Sequence, residues 1–537
     1  MYNPWTARKP EPDCVHRLRT TWWRPHVANP RIMPLQPDNS KHPGTPKALV
    51  KEDRRAIVLP VICCLVVASV YVGFMTSGSW TAQQNIANDY FTTFYDQLAT
   101  SFLQGHLSLE AKPDPALLAL ENPYSPEERQ GIAFPLDVSL YQGKYYLYFG
   151  PVPAILLLLT KAILGGQIGD QYLVLMFAVG TNVVEALIIL KMWLRFYPET
   201  PRPIVAASML FVGLVSPFTW ILRQPNVYNA AILGGQVFFL AGLYAAFEAL
   251  DRKSMAVWQL VVTGICWAGA VGSRITQILP VGLAATLLAL GLIIKQRGRR
   301  DSTRKVIRGV FGYALPLALG MAALGWYNWA RFGSVFETGI AYQLSGFPIQ
   351  TYNRAMWSPA YAVQNAYNYI LNPPKPTEAF PYLRPNNGFA KRPIVDWIRL
   401  PKIYWSQDVT GLLYTAPFLA FAIVTVIPIF RRRPLHAPSG DEQGSLRWLI
   451  ISLWGCFLAS AAFFLVFFWV AERYFGDYLP APLLLSILGF WKVLRYFQGR
   501  RLRRALTAAL GLGLIGASII VSDLLALAVN PGQSWPP

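Results

Sequence analysis

Three arginines stand where apolar runs give way to polar residues. They are Arg223 in Leu222-Arg223-Gln224-Pro225-Asn226, Arg274 in Gly272-Ser273-Arg274-Ile275-Thr276, and Arg473 in Glu472-Arg473-Tyr474. A guanidinium fork binds phosphate through paired hydrogen bonds and stabilises the charge that develops on a departing phosphate. The competing reading is an ion pair, such as Arg473 with Glu472 or Asp477, or an interfacial anchor. Lys144, beside Tyr145 in Gly143-Lys144-Tyr145-Tyr146, offers a phosphate contact for a lipid headgroup or, again, an anchor. Asp89, in Asn88-Asp89-Tyr90-Phe91, lies just past the first apolar run, where a carboxylate accepts a nucleophile's proton or orients it. A solvated helix-capping aspartate has the same signature. Two acids lie inside apolar runs, Glu185 and Asp523, and such acids are functional or paired. Glu185 suits a proton relay or a buried, hydrogen-bonded acid. No Walker A, H-E-x-x-H or G-x-S-x-G pattern occurs, and the histidines are scattered.

These side chains need a scaffold, and composition says which kind. The 537 residues are 53% hydrophobic and only 14% charged, too poor in charge for a water-facing surface. Membrane-length apolar runs fall at about 57–77, 171–193, 203–222, 227–248, 256–272, 275–295, 308–328, 411–430, 447–469, 479–495 and 505–529. The pattern predicts an all-α polytopic membrane protein with about eleven transmembrane helices. The run 150–164 is short and opens on Gly150-Pro151-Val152-Pro153, which suits an interfacial or re-entrant helix. Residues 1–54 are Pro-rich and basic and read as a disordered cytosolic tail; the first apolar run starts too late for a signal peptide.

Charge placement orients the chain. With 150–164 not crossing, most of the lysines and arginines, including those of 295–308, 431–433 and 492–504, face the cytosol. The N-terminus is then cytosolic and the C-terminus external. The net charge of +20 records this topology and gives no support to a nucleic-acid partner. Four segments follow: the tail 1–54, a transmembrane module 55–330 carrying a large first external loop 78–170, an external loop 331–408, and C-terminal helices 409–537. Long loops of this kind are usually functional. Cys63, Cys64, Cys266 and Cys456 lie in apolar stretches and Cys14 in the tail, so no disulfide or cysteine metal site is expected.

The order of these features resembles the GT-C superfamily of integral membrane glycosyltransferases, near its protein O-mannosyltransferase and aminoarabinose transferase branch. In that branch an acidic motif follows the first span, then a helix to a Leu-x-x-Gly turn, then a Pro-Pro interfacial helix. Asp89 with Leu103-Gln104-Gly105 is similar to the first element, and Gly143-Lys144-Tyr145-Tyr146 through Pro151-Val152-Pro153 to the second. The chain departs by Tyr90 where the branch has Glu, by Pro-Val-Pro for Pro-Pro, and by a spacing from Asp89 to Gly105 about one residue long, which makes Asp96 the alternative catalytic carboxylate.

The resemblance implies an inverting transferase at the external, periplasmic face, in the inner membrane of a bacterium. It implies a polyprenyl-phosphate-linked sugar as donor and a protein, lipid or polysaccharide acceptor, with membrane lipids around it. Arg274 and Arg473-Tyr474 look like its phosphate-holding positions. Some members use a carboxylate-bound divalent cation, which this sequence neither requires nor forbids. The rivals are a lipid-linked saccharide flippase or secondary transporter, for which Glu185 is the one midplane candidate, and an inactive scaffold of cell-envelope assembly.

Overall fold

The computed structural model describes residues 46–76, 93–215, 217–252, 254, 256–298, 301–386, 399–427 and 440–529. The chain divides into Met1–Asp53, of which the opening turns of the first helix are described, and Arg54–Pro537, which holds everything below. Most of the expected tail, and Asp89 with the rest of 77–92, lie outside the described residues.

Helix α1 (Pro46–Met75) begins inside the segment expected to be tail. It is followed by α2 (Phe94–Leu103), the single turn α3 (Pro115–Leu118), and the hairpin β1 (Ser139–Tyr141) and β2 (Lys144–Tyr146). Then come α4 (Val152–Leu164), α5 (Asp170–Lys191), α6 (Arg202–Leu214), α7 (Phe218–Arg223), α8 (Val227–Asp251), α9 (Val257–Ser273), α10 (Ile278–Gln296) and α11 (Ser302–Phe332). The second loop holds the short α12 (Ile349–Tyr352) and α13 (Ala362–Ala366) and strands β3 (Lys375–Pro376), β4 (Leu383–Arg384) and β5 (Trp405–Ser406). One turn, α14 (Leu412–Thr415), leads to α15 (Gly440–Leu465), β6 (Trp469–Val470), α16 (Pro480–Tyr496) and α17 (Arg501–Leu527).

The protein is an all-α, multi-pass integral membrane protein. Among the described residues seven helices are long and apolar enough to cross a bilayer: Ala56–Met75, Asp170–Phe196, Val227–Asp251, Ile275–Gln296, Ser302–Phe332, Gln443–Leu465 and Arg501–Leu527. The other four expected spans take different forms. The run 203–222 breaks near Pro217 into α6 and α7, because proline ends the hydrogen-bond ladder. The run 411–430 becomes α14 and a 3₁₀ segment, Pro417–Thr425. Helices α9 and α16 have 17 residues each, and α16 is buried among its neighbours. Helix α4 has 13 residues, about 20 Å, against a hydrocarbon core of roughly 30 Å. It starts at Pro151 and stops at Gly165, as its proline-rich opening predicts.

In hydrocarbon, apolar side chains gain nothing by leaving lipid for protein, so close packing between small residues holds the helices. Helix α8 shows this: it packs on α5 and α9, and α9 packs on α11. A Cβ on Gly242 of α8 would stand 2.5 Å from the Trp267 ring. A Cβ on Gly235 would stand 2.8 Å from the Cβ of Arg274. The glycines therefore bring the end of α9, and Arg274 with it, against α8.

Candidate functional site

The segment between α1 and α5 supplies one wall of a cavity of ≈ 2180 Å³. Its hairpin turns on Gln142 and Gly143, both with positive φ (47° and 70°), which pair Tyr141 with Lys144 in a tight two-residue connection. Just before the hairpin, Asp137 also takes a left-handed backbone, φ 59°. A side chain other than glycine is held there only when its surroundings enforce it. Here they do. Asp137 N–H donates to Leu344 O (2.8 Å), Leu344 N–H returns to Val138 O (2.8 Å), and the Ser139 hydroxyl donates to Gly339 O (2.8 Å). The two long inter-helix segments are thus clipped together at residues 137–139 and 339–344.

The clip aims the Asp137 carboxyl into the cavity. The Tyr228 hydroxyl donates to one oxygen and the Gln343 amide to the other, at 2.7 Å. Burial pushes the carboxyl above the ordinary aspartate range. The two hydrogen bonds and the charges of Arg473 and Arg129 pull it part of the way back.

The ends of α9 and of the 3₁₀ turn Glu472–Asp477 supply the cations. Arg274 leaves α9 in an extended conformation and donates Nε and Nη2 to the two oxygens of Asp477, at 3.2 and 3.1 Å. Thr276 donates to the same carboxylate at 2.9 Å. Burial alone would lower the Arg274 pKa, but the Asp477 charge and hydrogen bonds more than offset it, so the guanidinium stays charged. Arg473 donates Nη1 to Gln407 Oε1 at 2.9 Å. It lies over the rings of Tyr228 and Tyr474, at 5.1 and 5.2 Å, while Arg274 faces Tyr474 at 5.9 Å. The arginines flank one tyrosine, and the Tyr228 that lies under Arg473 also holds Asp137.

One close approach fixes this arrangement. The turn into α4 crosses the end of α9 so tightly that a Cβ on Gly150 would stand 2.0 Å from Gly272 O. Only glycine fits there.

Of the residues singled out in the sequence, Arg274, Arg473 and Tyr474 line the cavity together. The others are placed elsewhere. Arg223 donates Nη2 to Val529 O at 3.1 Å, tying α7 to the end of α17. Lys144 is exposed at the hairpin and Tyr145 is buried under it, and neither lines the cavity. Asp96 accepts from Lys161 Nζ at 2.6 Å and from Ile168 N–H at 2.8 Å, a buried link between α2 and the end of α4. Asp96 does not line the cavity. Asp477, a candidate partner of Arg473 in the ion-pair reading, pairs with Arg274, and Glu472 accepts from Thr410 N–H. Glu185 is fully buried in α5 and both its carboxyl oxygens lack a hydrogen-bond partner among the described residues. It does not line the cavity.

The sequence reading missed Asp137, Tyr228 and Gln343. What marks Asp137 is a positive φ and contacts with residues up to about 200 positions away, neither of which the sequence shows. Among the described residues no group of three His, Cys, Asp or Glu side chains could hold a metal ion.

No family model matches the chain, and no curated protein sequence matches it. Several solved structures are similar. The Archaeoglobus fulgidus oligosaccharyltransferase with Zn and sulfate is similar over 86% of this chain and 53% of its own, with 12% identity and a TM-score of 0.42. AglB from the same organism, with an inhibitory peptide and a dolichol-phosphate, gives 87%, 55%, 12% and 0.37. The Saccharomyces cerevisiae protein O-mannosyltransferase Pmt1–Pmt2 complex bound to the sugar donor gives 57%, 36%, 13% and 0.31. The chain spans about half the length of the oligosaccharyltransferase. At these identities and scores the likeness carries no residue role across.

Proposed function

We propose that this chain is an inverting membrane glycosyltransferase. It moves a sugar from a polyprenyl-phosphate donor to an acceptor hydroxyl at the periplasmic face of a bacterial inner membrane, with its N-terminus cytosolic and its C-terminus external. The observation that carries the reading is the convergence of Arg274, Arg473 and Asp137 in one cavity beside the transmembrane helices. The cavity continues past the cations along Met321, Leu324, Phe463 and Phe467, an apolar flank suited to a prenyl tail.

In the reaction the acceptor oxygen attacks the anomeric carbon on the face opposite the phosphate. The new C–O bond forms as the bond to the phosphate oxygen breaks. The electron pair leaves with the phosphate, whose added charge Arg274 and Arg473 stabilise. Asp137 takes the proton from the acceptor hydroxyl. Asp89 orients the acceptor, as its place after the first span suggests.

The test is transfer from a radiolabelled polyprenyl-phosphate sugar by the purified protein in proteoliposomes. Asp137→Asn lowers turnover by about 10²–10⁴-fold, the usual worth of a general base. Full activity in Asp137→Asn with loss in Asp89→Asn would transfer the base role to Asp89. Absence of any transfer or donor hydrolysis by the wild type, with donor bound, would defeat the reading.

A further inference from the structure

The cavity is larger than the roughly 300–1,000 Å³ that one small ligand occupies, and a second wall of it has its own chemistry. Strand β5 runs parallel to β6, with Trp405 paired to Trp469. Their rings stand 6.3 Å apart and tilt by 35°. Both line the cavity, as does the exposed Trp357. On the same segment as Trp405, Lys402 and Asp408 are exposed and also line it. The indole N–H of Trp469 has no hydrogen-bond partner among the described residues. Gln407, between Trp405 and Asp408 on the chain, receives Arg473 Nη1, so this wall is continuous with the phosphate-holding cations.

Flat indoles with a carboxylate, an ammonium and an amide beside them match one ligand class well. A pyranose presents an apolar C–H face to an aromatic ring and hydroxyls, which both donate and accept, around its rim. A lipid acceptor would leave Asp408 and Lys402 without a use. A peptide acceptor would be held chiefly through its backbone, along a free strand edge, and β5 and β6 have only two residues each. We propose that the β5–β6 wall is the acceptor subsite and that its ligand is a saccharide chain, with Trp405 stacking on a sugar ring and Asp408 and Lys402 binding its hydroxyls. This rests on the glycosyltransferase reading for its role in turnover, but the binding site stands or falls by itself.

The full-length protein in nanodiscs is titrated calorimetrically with maltohexaose, mannohexaose and a Ser/Thr-containing peptide. The expected result is saturable binding of at least one hexasaccharide and none of the peptide. Trp405→Ala weakens that binding about tenfold, Trp405→Phe retains most of it, and Asp408→Asn weakens it as well. In turnover the same variants raise the KM for the saccharide acceptor with little change in kcat or in the KM for donor. No saccharide binding, or binding that Trp405→Ala and Asp408→Asn leave unchanged, overturns the proposal. Transfer to the peptide alone also overturns it while leaving the glycosyltransferase reading intact. Saccharide binding as expected, with neither transfer nor donor hydrolysis, supports the subsite and defeats the transferase reading instead.

Discussion

Tyr228→Phe removes a single oxygen and tests whether Asp137 is the base. The Tyr228 hydroxyl donates to Asp137, and that bond favours the charged carboxylate. A hydrogen bond to a charged group contributes about 1.5–3 kcal/mol. Asp137 is partly open to the cavity, so the low end applies, about 1.5 kcal/mol or roughly tenfold. The sign follows from the direction of the shift. Burial already holds the Asp137 pKa above the ordinary aspartate range, so the base is protonated and idle at low pH, and activity rises as pH climbs through that pKa. Losing the tyrosine donor raises the pKa further and moves the acid limb of kcat/KM to higher pH. Well below the limb the variant is about tenfold slower, and well above it the two proteins converge. The assay is the pH profile of kcat/KM for transfer from labelled donor, with circular dichroism confirming that α8 is intact. An unshifted limb, with rates within twofold at all pH values, would refute the assignment of Asp137.

Other consequences follow from the packing. Gly150→Ala places a Cβ 2.0 Å from Gly272 O; it should destabilise by about 1–3 kcal/mol and reduce transfer by displacing Arg274, read by thermal unfolding in detergent and by turnover. Asp96→Asn breaks the buried pair with Lys161, whose partners are 10% and 5% exposed. The expected cost is about 1–3 kcal/mol in thermal stability, with the pH profile of the surviving activity unchanged; a shifted acid limb would return Asp96 to the chemistry. Glu185→Gln, outside the cavity lining, should leave glycosyl transfer intact. Loss of gradient-driven lipid-linked saccharide movement without loss of transfer would instead favour the transporter reading.

How much of this was legible in the sequence depends on the range of the interaction. Hydropathy read the membrane class, most of the long helices and the shortness of α4, because each depends on one contiguous segment. The breaks near Pro217 and at Pro417 were marked by proline inside otherwise apolar runs, and counting residues alone passed over them. Arg274 and Arg473 stood out in the sequence because an arginine at the end of an apolar run calls for an explanation. Asp137 was not, because what marks it is a left-handed backbone and partners at Tyr228 and Gln343, which only tertiary structure supplies. Asp96 looked catalytic by residue type and spacing. Its partner Lys161, 65 residues away, is a contact the sequence does not show.

The central claim is that Arg274 and Arg473 receive a lipid-linked phosphate with Asp137 facing it. The direct measurement is a cryo-EM structure of the protein in nanodiscs with a polyprenyl-phosphate bound. The account predicts phosphate density within hydrogen-bond reach of Arg473 and of Arg274, the Asp137 carboxyl on the same cavity, and the prenyl tail along Met321, Leu324 and Phe467. Phosphate density held by Lys144 at the hairpin, with Arg274 still on Asp477 and Arg473 still on Gln407, would contradict it.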